Sequence, residues 1–333
     1  MKKFYLTRDE KKAIPFILPG VAVTALLIIY PLFYIISMSF SENAIGQSGF
    51  AGLTNYLRLF KNPMFTSSIW NTLVWTLGTV IPAFLIGFIL ALLINRRGMR
   101  IKGVFRSLIF VAWIIPGVVK ATAWKWLFTT DGGMINHLLM SIGVIEKEIA
   151  WLSSPQYAML SVIIVQVWAC APYVMLMMTA GLQQLPRDLY ESAELDGAGW
   201  FKKLWYITLP MLKDVSFICI LMLLVWAINE FSLIFIMTSG GQNTTTLSIL
   251  VYNQFQVLNI NSASASAVMQ LLITMIFAAL YVKFVIKEDG YEKKEKMAGA
   301  YGNCFDIYYF RIRSDRSIIS ACMGGKYFFQ TRK

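Results

Sequence analysis

Six apolar runs, each long enough to cross a hydrocarbon core of ~30 Å, fall at about 14–40, 68–94, 104–128, 156–181, 214–237 and 266–286. Lipid offers the backbone no hydrogen-bond partners, so a spanning segment must satisfy its own amides, and runs of this length do so as helices. The expected fold is an all-α polytopic membrane protein with six transmembrane helices. Composition agrees: 57% of the 333 residues are hydrophobic and 14% are charged, outside the usual range of a soluble domain. The first run carries Pro15, Pro19 and Pro31 and is expected to bend or to lie partly in the interface. No small-residue cleavage site follows it, which favours a retained helix over a signal peptide.

The loop charges set an orientation. Residues 1–12 hold five Lys/Arg, 95–106 five, 182–213 four, and the tail from Lys283 eleven. The intervening loops hold two (41–67), one (129–154) and none (238–265). Both termini and the 182–213 loop are therefore expected in the cytoplasm. The net charge of +12 is read as this topological bias and not as a nucleic-acid surface. Four cysteines (Cys170, Cys219, Cys304, Cys322) show neither metal spacing nor a disulfide framework. His137 stands alone in a loop and no catalytic role is expected of it. No cofactor, metal site or catalytic residue is expected.

One loop is hydrophilic, long and patterned. Residues 188–210 read DLYESAELDGAGWFKKLWYITLP. Pro186-Arg187-Asp188 suits a helix start, with acids near the positive end of the dipole. Gly197 suits its end or a sharp turn. A second short amphipathic helix, Trp200–Tyr206, is expected to stop before Leu209-Pro210. Such a helix–Gly–helix element can fit a groove on a partner and move as a rigid body.

The spacing of Glu191-Ser192-Ala193, Asp196-Gly197, Ile207 and Leu209-Pro210 resembles the EAA coupling loop of ABC importer permeases. Ser192 stands where that family commonly has Ala. The resemblance extends over roughly residues 10–287, through Gly52-Leu53-Thr54-Asn55-Tyr56, Asn71-Thr72-Leu73, Gly133-Met134-Ile135-Asn136, Pro172-Tyr173 and Thr238-Ser239-Gly240-Gly241. These look like the first, MalF-like subunit of sugar permeases of the maltose/glycerol-phosphate type. The resemblance implies a transport subunit in the bacterial plasma (inner) membrane, working by alternating access. Its implied partners are a second permease forming a heterodimer, an ABC ATPase dimer inside, an extracytoplasmic sugar-binding protein, membrane lipid and a small sugar, with no nucleic acid. The chain would not be an enzyme itself. No Gly-x-x-x-x-Gly-Lys-Ser/Thr occurs, so ATP hydrolysis is assigned to the separate partner. Glu191, Ser192, Ala193, Asp196, Gly197, Ile207 and Pro210 become the ATPase-coupling residues. The implied organisation is a cytoplasmic N-terminus (1–13), a permease domain (14–287) containing the coupling loop (182–213), and a tail (288–333).

Polar groups inside spans are costly and default to functional candidates. Gln166, Cys170 and Tyr173 recur on one helical face, as do Leu223, Trp226, Ala227 and Glu230. By resemblance these faces match the sugar-lining positions of maltose-type permeases, where rings cover sugar C–H faces and polar groups bond the hydroxyls. The same aromatics could simply pack helices together. Glu230 departs from the uncharged amide familiar at that place. Lys120 is a second intramembrane charge at a similar count along its run, so the two are expected to pair or to face one cavity. Lys125 is read as a snorkelling anchor. The uncharged 238–265 loop, with a turn at Gly240-Gly241, would face the binding protein together with 41–67 and 129–154. Residues 299–333 fall outside the resemblance; the tail is read as disordered, accessory or adventitious and is assigned no function. The alternatives are an ABC permease for an amino sugar or other non-sugar solute, or an ion-coupled secondary transporter. The latter is expected to show inverted repeats and several intramembrane carboxylates.

Overall fold

The computed structural model describes residues 8–42, 49–96, 101–281 and 283. The expectations for the N-terminal residues 1–7, for Arg97 and Arg100, and for the 288–333 tail lie outside these. The described residues are helical, with one isolated antiparallel bridge between Ser41 and Phe50. In chain order, α1 is Arg8–Thr24 and α2 Tyr30–Ser39, joined through a π turn at Ala25–Ile29. α3 (Thr54–Lys61) leads into α4 (Pro63–Ile94). α5 (Lys102–Ile114), α6 (Gly117–Leu127) and α7 (Met134–Ser141) follow. α8 is Ala158–Gln184 and α9 Arg187–Leu195. α10 (Trp200–Lys203) and α11 (Leu209–Met211) flank a second π turn, Leu204–Thr208. α12 (Lys213–Asn229), α13 (Ser232–Thr238), α14 (Leu247–Gln256) and α15 (Ile260–Tyr281) complete the described fold.

Four of these segments cross-qualify as single spans by length and composition: Pro15–Ser39, α4, α8 and α15. The other two candidates are broken. α5 and α6 meet at 94°, and Trp200–Met211 meets α12 at 68°. The straight third span expected over 104–128 is thus corrected to a bent pair. Its cause is local: Pro116 excludes Ile115 from the helical region, and Ile115 sits at φ −56°, ψ 128°. The fifth run, expected over 214–237, is likewise interrupted, because α12 stops at Asn229 and α13 begins at Ser232.

The first run does not break at its prolines. The π turn before Pro31 carries an i→i−5 bond from Tyr30 N to Ala25 O, and the one before Pro210 carries Leu209 N to Leu204 O. A proline ring clashes with the carbonyl four residues back and offers no N–H. One wide turn immediately upstream shifts the register and lets the helix pass. The same device corrects the expected end of the second loop helix. It does not stop before Leu209-Pro210 but runs on to Met211.

The core is built on α4 against α8, the most extensive helix pair. Small residues permit it: a Cβ on Gly87 would stand 2.5 Å from Val174 Cβ and 2.6 Å from the Ala171 carbonyl oxygen. Trp75, Val162, Val165, Met175 and Met178 are fully buried around this seam. In contrast, Pro15–Ser39 is largely uncovered, with Phe16, Leu26, Leu27 and Phe33 exposed to the surroundings of this chain.

Several of the short motifs turn out to be polar latches. Asn55, buried, donates to the carbonyls of Ser39 and Ser41 at 3.0 and 2.8 Å. Asn71 donates to Thr245 O (3.0 Å), and Thr72 Oγ1 accepts from Leu247 N (2.9 Å). Asn136 is fully buried; it donates to Thr130 O and Ile149 O and accepts from Ile149 N and Trp151 Nε1. Gly240 adopts φ +77°, and Gly241 N donates to Thr238 O, so the Gly pair makes the expected turn. The stretch after that turn is not all loop, since α14 and the start of α15 lie within 238–265.

Candidate functional site

The first candidate site is the element between α8 and α12. α9 starts behind Pro186 with Asp188 in its first turn. It ends in a Schellman motif: Gly197 N donates to Glu194 O (3.0 Å) and Ala198 N to Ala193 O (2.8 Å). Gly197 holds φ +75°, with open space where a Cβ would sit. The turn needs glycine for its backbone, not for room. After it, α10 folds back so that Lys203 Nζ reaches Glu194 Oε1 at 2.6 Å. Tyr190 and Thr208 share a hydrogen bond of 2.9 Å between their hydroxyls. Two short helices are therefore clamped into one piece.

That piece presents uncovered surface. α9 has no buried residue. Leu195 is 91% exposed and Phe201 78%. Trp205 and Tyr206 are also exposed, and Glu191, Ser192 and Asp196 face outward beside them. Ala193 and Ile207 are half-buried, and Pro210 is exposed at the turn into α12.

The second candidate site lies among α5, α8 and α12. Tyr173 and Trp226 meet with ring centroids 4.8 Å apart. A residue that sequence reasoning missed completes the group: Trp113 stacks on Tyr173 at 5.2 Å and meets Trp226 at 4.9 Å. Trp113 is two residues before the Ile115–Pro116 break, and nothing in its local pattern distinguishes it from an interfacial tryptophan. All three rings are only partly buried. Gln166, Cys170 and Ala227 are buried within the chain, so the aromatic trio forms the accessible part of the predicted faces.

Glu230 corrects the reading of a single face through 223–230. It is not helical: it sits at φ −67°, ψ 127° between α12 and α13. Its Oε1 accepts from Leu233 N at 3.0 Å, compensating its charge with the first turn of α13. No ion pair within 4.0 Å joins it to Lys120. The bend at Pro116 also removes the basis for placing Lys120 by counting along one straight helix. Lys120 shares the half-buried face of α6 with Gly117, Ala121 and Trp124. Lys125 does more than snorkel. Its Nζ donates to Ile236 O at 2.8 Å, tying α6 to the last turn of α13.

The break between α12 and α13 is held from elsewhere in the chain. Trp75 Nε1 donates to Ala227 O (2.8 Å). Gln270 Nε2 donates to Ile228 O and Asn229 Oδ1 (both 3.2 Å) and to Ser248 Oγ (2.9 Å).

Residues 83–287 match the family described as binding-protein-dependent transport system inner membrane component. The chain is 31% identical over 280 residues to the trehalose/maltose transport system permease protein MalF of Thermococcus litoralis, covering 83% of this chain and 94% of that protein. It is 30% identical over 287 residues to the sulfoquinovosyl glycerol transport system permease protein SmoG of Agrobacterium fabrum, covering 84% and 92%. Among solved structures it is similar in fold to a chain of a bacterial alginate ABC transporter in complex with an alginate pentasaccharide-bound periplasmic protein. That match has a TM-score of 0.73 at 20% identity and covers 82% of this chain and 94% of that one.

Proposed function

This chain belongs to the family of binding-protein-dependent transport system inner membrane components, and from that footing we propose that it is a permease subunit of an ATP-driven carbohydrate importer. It forms the translocation path with a second permease. It takes its solute from an extracytoplasmic binding protein and couples to an ABC ATPase dimer at the face carrying α9 and α10. Both termini lie on that cytoplasmic face. The relatives named for maltose or trehalose and for sulfoquinovosyl glycerol support a carbohydrate as cargo.

The observation that carries the coupling role is the clamped α9–Gly197–α10 piece with its uncovered Leu195 and Phe201. An apolar, rigid projection fits a groove on a partner. Closure of the ATPase dimer would move it as one body, and the bonds of Tyr190 to Thr208 and of Lys203 to Glu194 keep it from flexing. On the solute side, Trp113, Tyr173 and Trp226 offer ring faces to sugar C–H surfaces.

The test is co-purification with the ATPase and solute-stimulated hydrolysis, wild type against Glu191→Lys combined with Leu195→Asp. Loss of the complex with normal membrane insertion is the expected result. An unchanged complex and rate would refute the coupling role of this loop.

A further inference from the structure

At the foot of the coupling element, a cavity of about 430 Å³ is enclosed by the ends of three long helices and by the loop itself. Asn95 closes α4, Lys102 opens α5, Arg187 and Tyr190 come from α9, and Trp200 and Lys203 from α10. Three cations line it. One acid, Glu194, also lines it and is engaged by Lys203 at 2.6 Å. The cavity thus carries net positive charge. One turn beyond Lys102 and outside the cavity's lining, Arg106 has an Nε that is buried with no hydrogen-bond partner.

The same three helices, α4, α5 and α8, carry a second feature further along. An apolar groove of about 790 Å³ is lined by Ile86 and Leu90 of α4, Leu108 and Ile109 of α5, and Ile164 and Trp168 of α8. On α4 it runs from Gly78 to Leu90, ~18 Å at 1.5 Å per residue, which exceeds half of a ~30 Å hydrocarbon core. Leu108, Ile164 and Trp168 remain partly exposed along it.

We propose that the cavity and the groove together hold one anionic phospholipid, its phosphate among Lys102, Arg187 and Lys203 and an acyl chain along α4, α5 and α8. Charge complementarity selects the headgroup: basic pockets between membrane helices on the cytoplasmic side are built for anionic lipids, and the surface potential of that leaflet concentrates them there. The apolar share of the cavity, Leu92, Leu185 and Leu204, suits the glycerol and upper chain and not a free hydrated anion. The placement rests on the reading of this face as cytoplasmic. Its consequence is mechanical. A phosphate shared by α5, α9 and α10 braces the coupling element against a membrane helix, so lipid composition would set how faithfully ATPase closure is passed to the spans.

The complete complex, purified with its second permease and ATPase, is exchanged into nanodiscs of phosphatidylcholine with and without phosphatidylglycerol, and retained lipid is counted by native mass spectrometry. Wild type is expected to retain phosphatidylglycerol over phosphatidylcholine. Lys102→Gln with Arg187→Gln should cut that preference about fivefold for each cation removed, from a surface attraction near 1 kcal/mol per basic residue. Leu108→Trp, which fills the groove, should lower retention of both lipids without changing the preference. Equal retention of the two lipids by wild type overturns the proposal. So does displacement of the bound lipid by inorganic phosphate with Leu108→Trp silent, which would mean a small-anion site. A cross-link from Leu108→Cys to the second permease overturns it too, by giving the groove another occupant. If the ATPase does not co-purify with wild type, the importer reading fails, while lipid retention is still scored on the permease itself.

Discussion

Replacing Gly197 separates backbone conformation from space in the coupling element. The residue sits at φ +75° with nothing near the position of a Cβ, so an added methyl meets no neighbour. The cost is then conformational alone, ~1 kcal/mol for Ala in the left-handed region and more for β-branched Val. If the chain escapes that strain by unwinding the end of α9, it loses the bonds from Gly197 N to Glu194 O and from Ala198 N to Ala193 O. It also moves Glu194 away from Lys203, an ion pair whose Glu194 side chain is 58% exposed and which contributes only ~0.5 kcal/mol at such a surface. Asn visits the left-handed region far more readily than other side-chain-bearing residues. The expected order for solute-stimulated ATP hydrolysis and uptake in proteoliposomes is therefore Gly, then Asn, then Ala, then Val, with Ala about fivefold down if the whole ~1 kcal/mol falls on the competent conformation. Assembly with the ATPase is measured in parallel. If Val matches wild type, the turn does not need its positive φ in the working complex. If Asn is as damaging as Val, side-chain bulk at a protein contact governs the position and the conformational argument is wrong.

Gly87→Val would drive a branched side chain into Val174 and the Ala171 carbonyl; overpacking of this kind costs roughly 1–3 kcal/mol, and a lowered unfolding midpoint in detergent is expected, whereas an unchanged midpoint would mean that α4 and α8 are not in close contact. Asn136→Ala strips partners from Ile149 N and Trp151 Nε1 and should destabilise by roughly 1–3 kcal/mol from unsatisfied, partly buried donors, read as a thermal shift; a shift near zero would remove Asn136 as a latch. Glu230→Gln keeps an acceptor for Leu233 N and should transport nearly as wild type, while Glu230→Ala should lose ~1 kcal/mol of capping. Combining Glu230→Gln with Lys120→Met should give additive losses in transport, and a coupling energy above ~0.5 kcal/mol would restore the direct charge pair that the geometry does not contain.

Periodicity and charge made the helical, membrane-embedded character of the chain legible, and local spacing made the turn at Gly197 between α9 and α10 legible. Both signals are local. A positive φ demands glycine whatever lies around it, and ~20 apolar residues announce a span on their own. Broken spans are legible only in part. Pro116 announces the 94° bend between α5 and α6 through its effect on Ile115. Pro31 and Pro210 carry the same local warning, yet each is absorbed by a π turn. Whether a proline breaks a helix or is accommodated depends on what the freed carbonyls can find, and that is a tertiary matter. Trp113 escaped notice for a similar reason, since it joins Tyr173 and Trp226 only after three helices have converged. The reading of Glu230 as one more residue on a helical face failed because the break at Asn229 has no proline or glycine to mark it.

That unmarked break is tethered from elsewhere in the chain, and its tethers show why it persists. Ending α12 at Asn229 leaves the carbonyl of Ile228 without the donor a longer helix would supply, while Ala227 O keeps a bond from Glu230 N at 3.2 Å. In an apolar surrounding such an orphan would cost several kcal/mol. Gln270 of α15 and Ser248 of α14 both donate to Ile228 O and are bonded to each other, and Trp75 of α4 adds a second bond to Ala227 O. Across the gap, Glu230 caps the start of α13 and Lys125 of α6 binds near its end. The break is thus held by side chains from three other helices, α4, α14 and α15, and could not close into a continuous span without abandoning them. It follows that α12 and α13 are not free to hinge alone. A shift of α12 delivered from the α9–α10 element must either carry α4 and α15 with it or strip the Ile228 carbonyl of its partners and Ala227 O of its second bond. The second course costs several kcal/mol in an apolar surrounding, at least as much as the ~1–3 kcal/mol typical of coupling between distant sites. Motion of the loop would therefore reach Trp226, one residue before Ala227, as movement of the whole α4–α12–α15 frame.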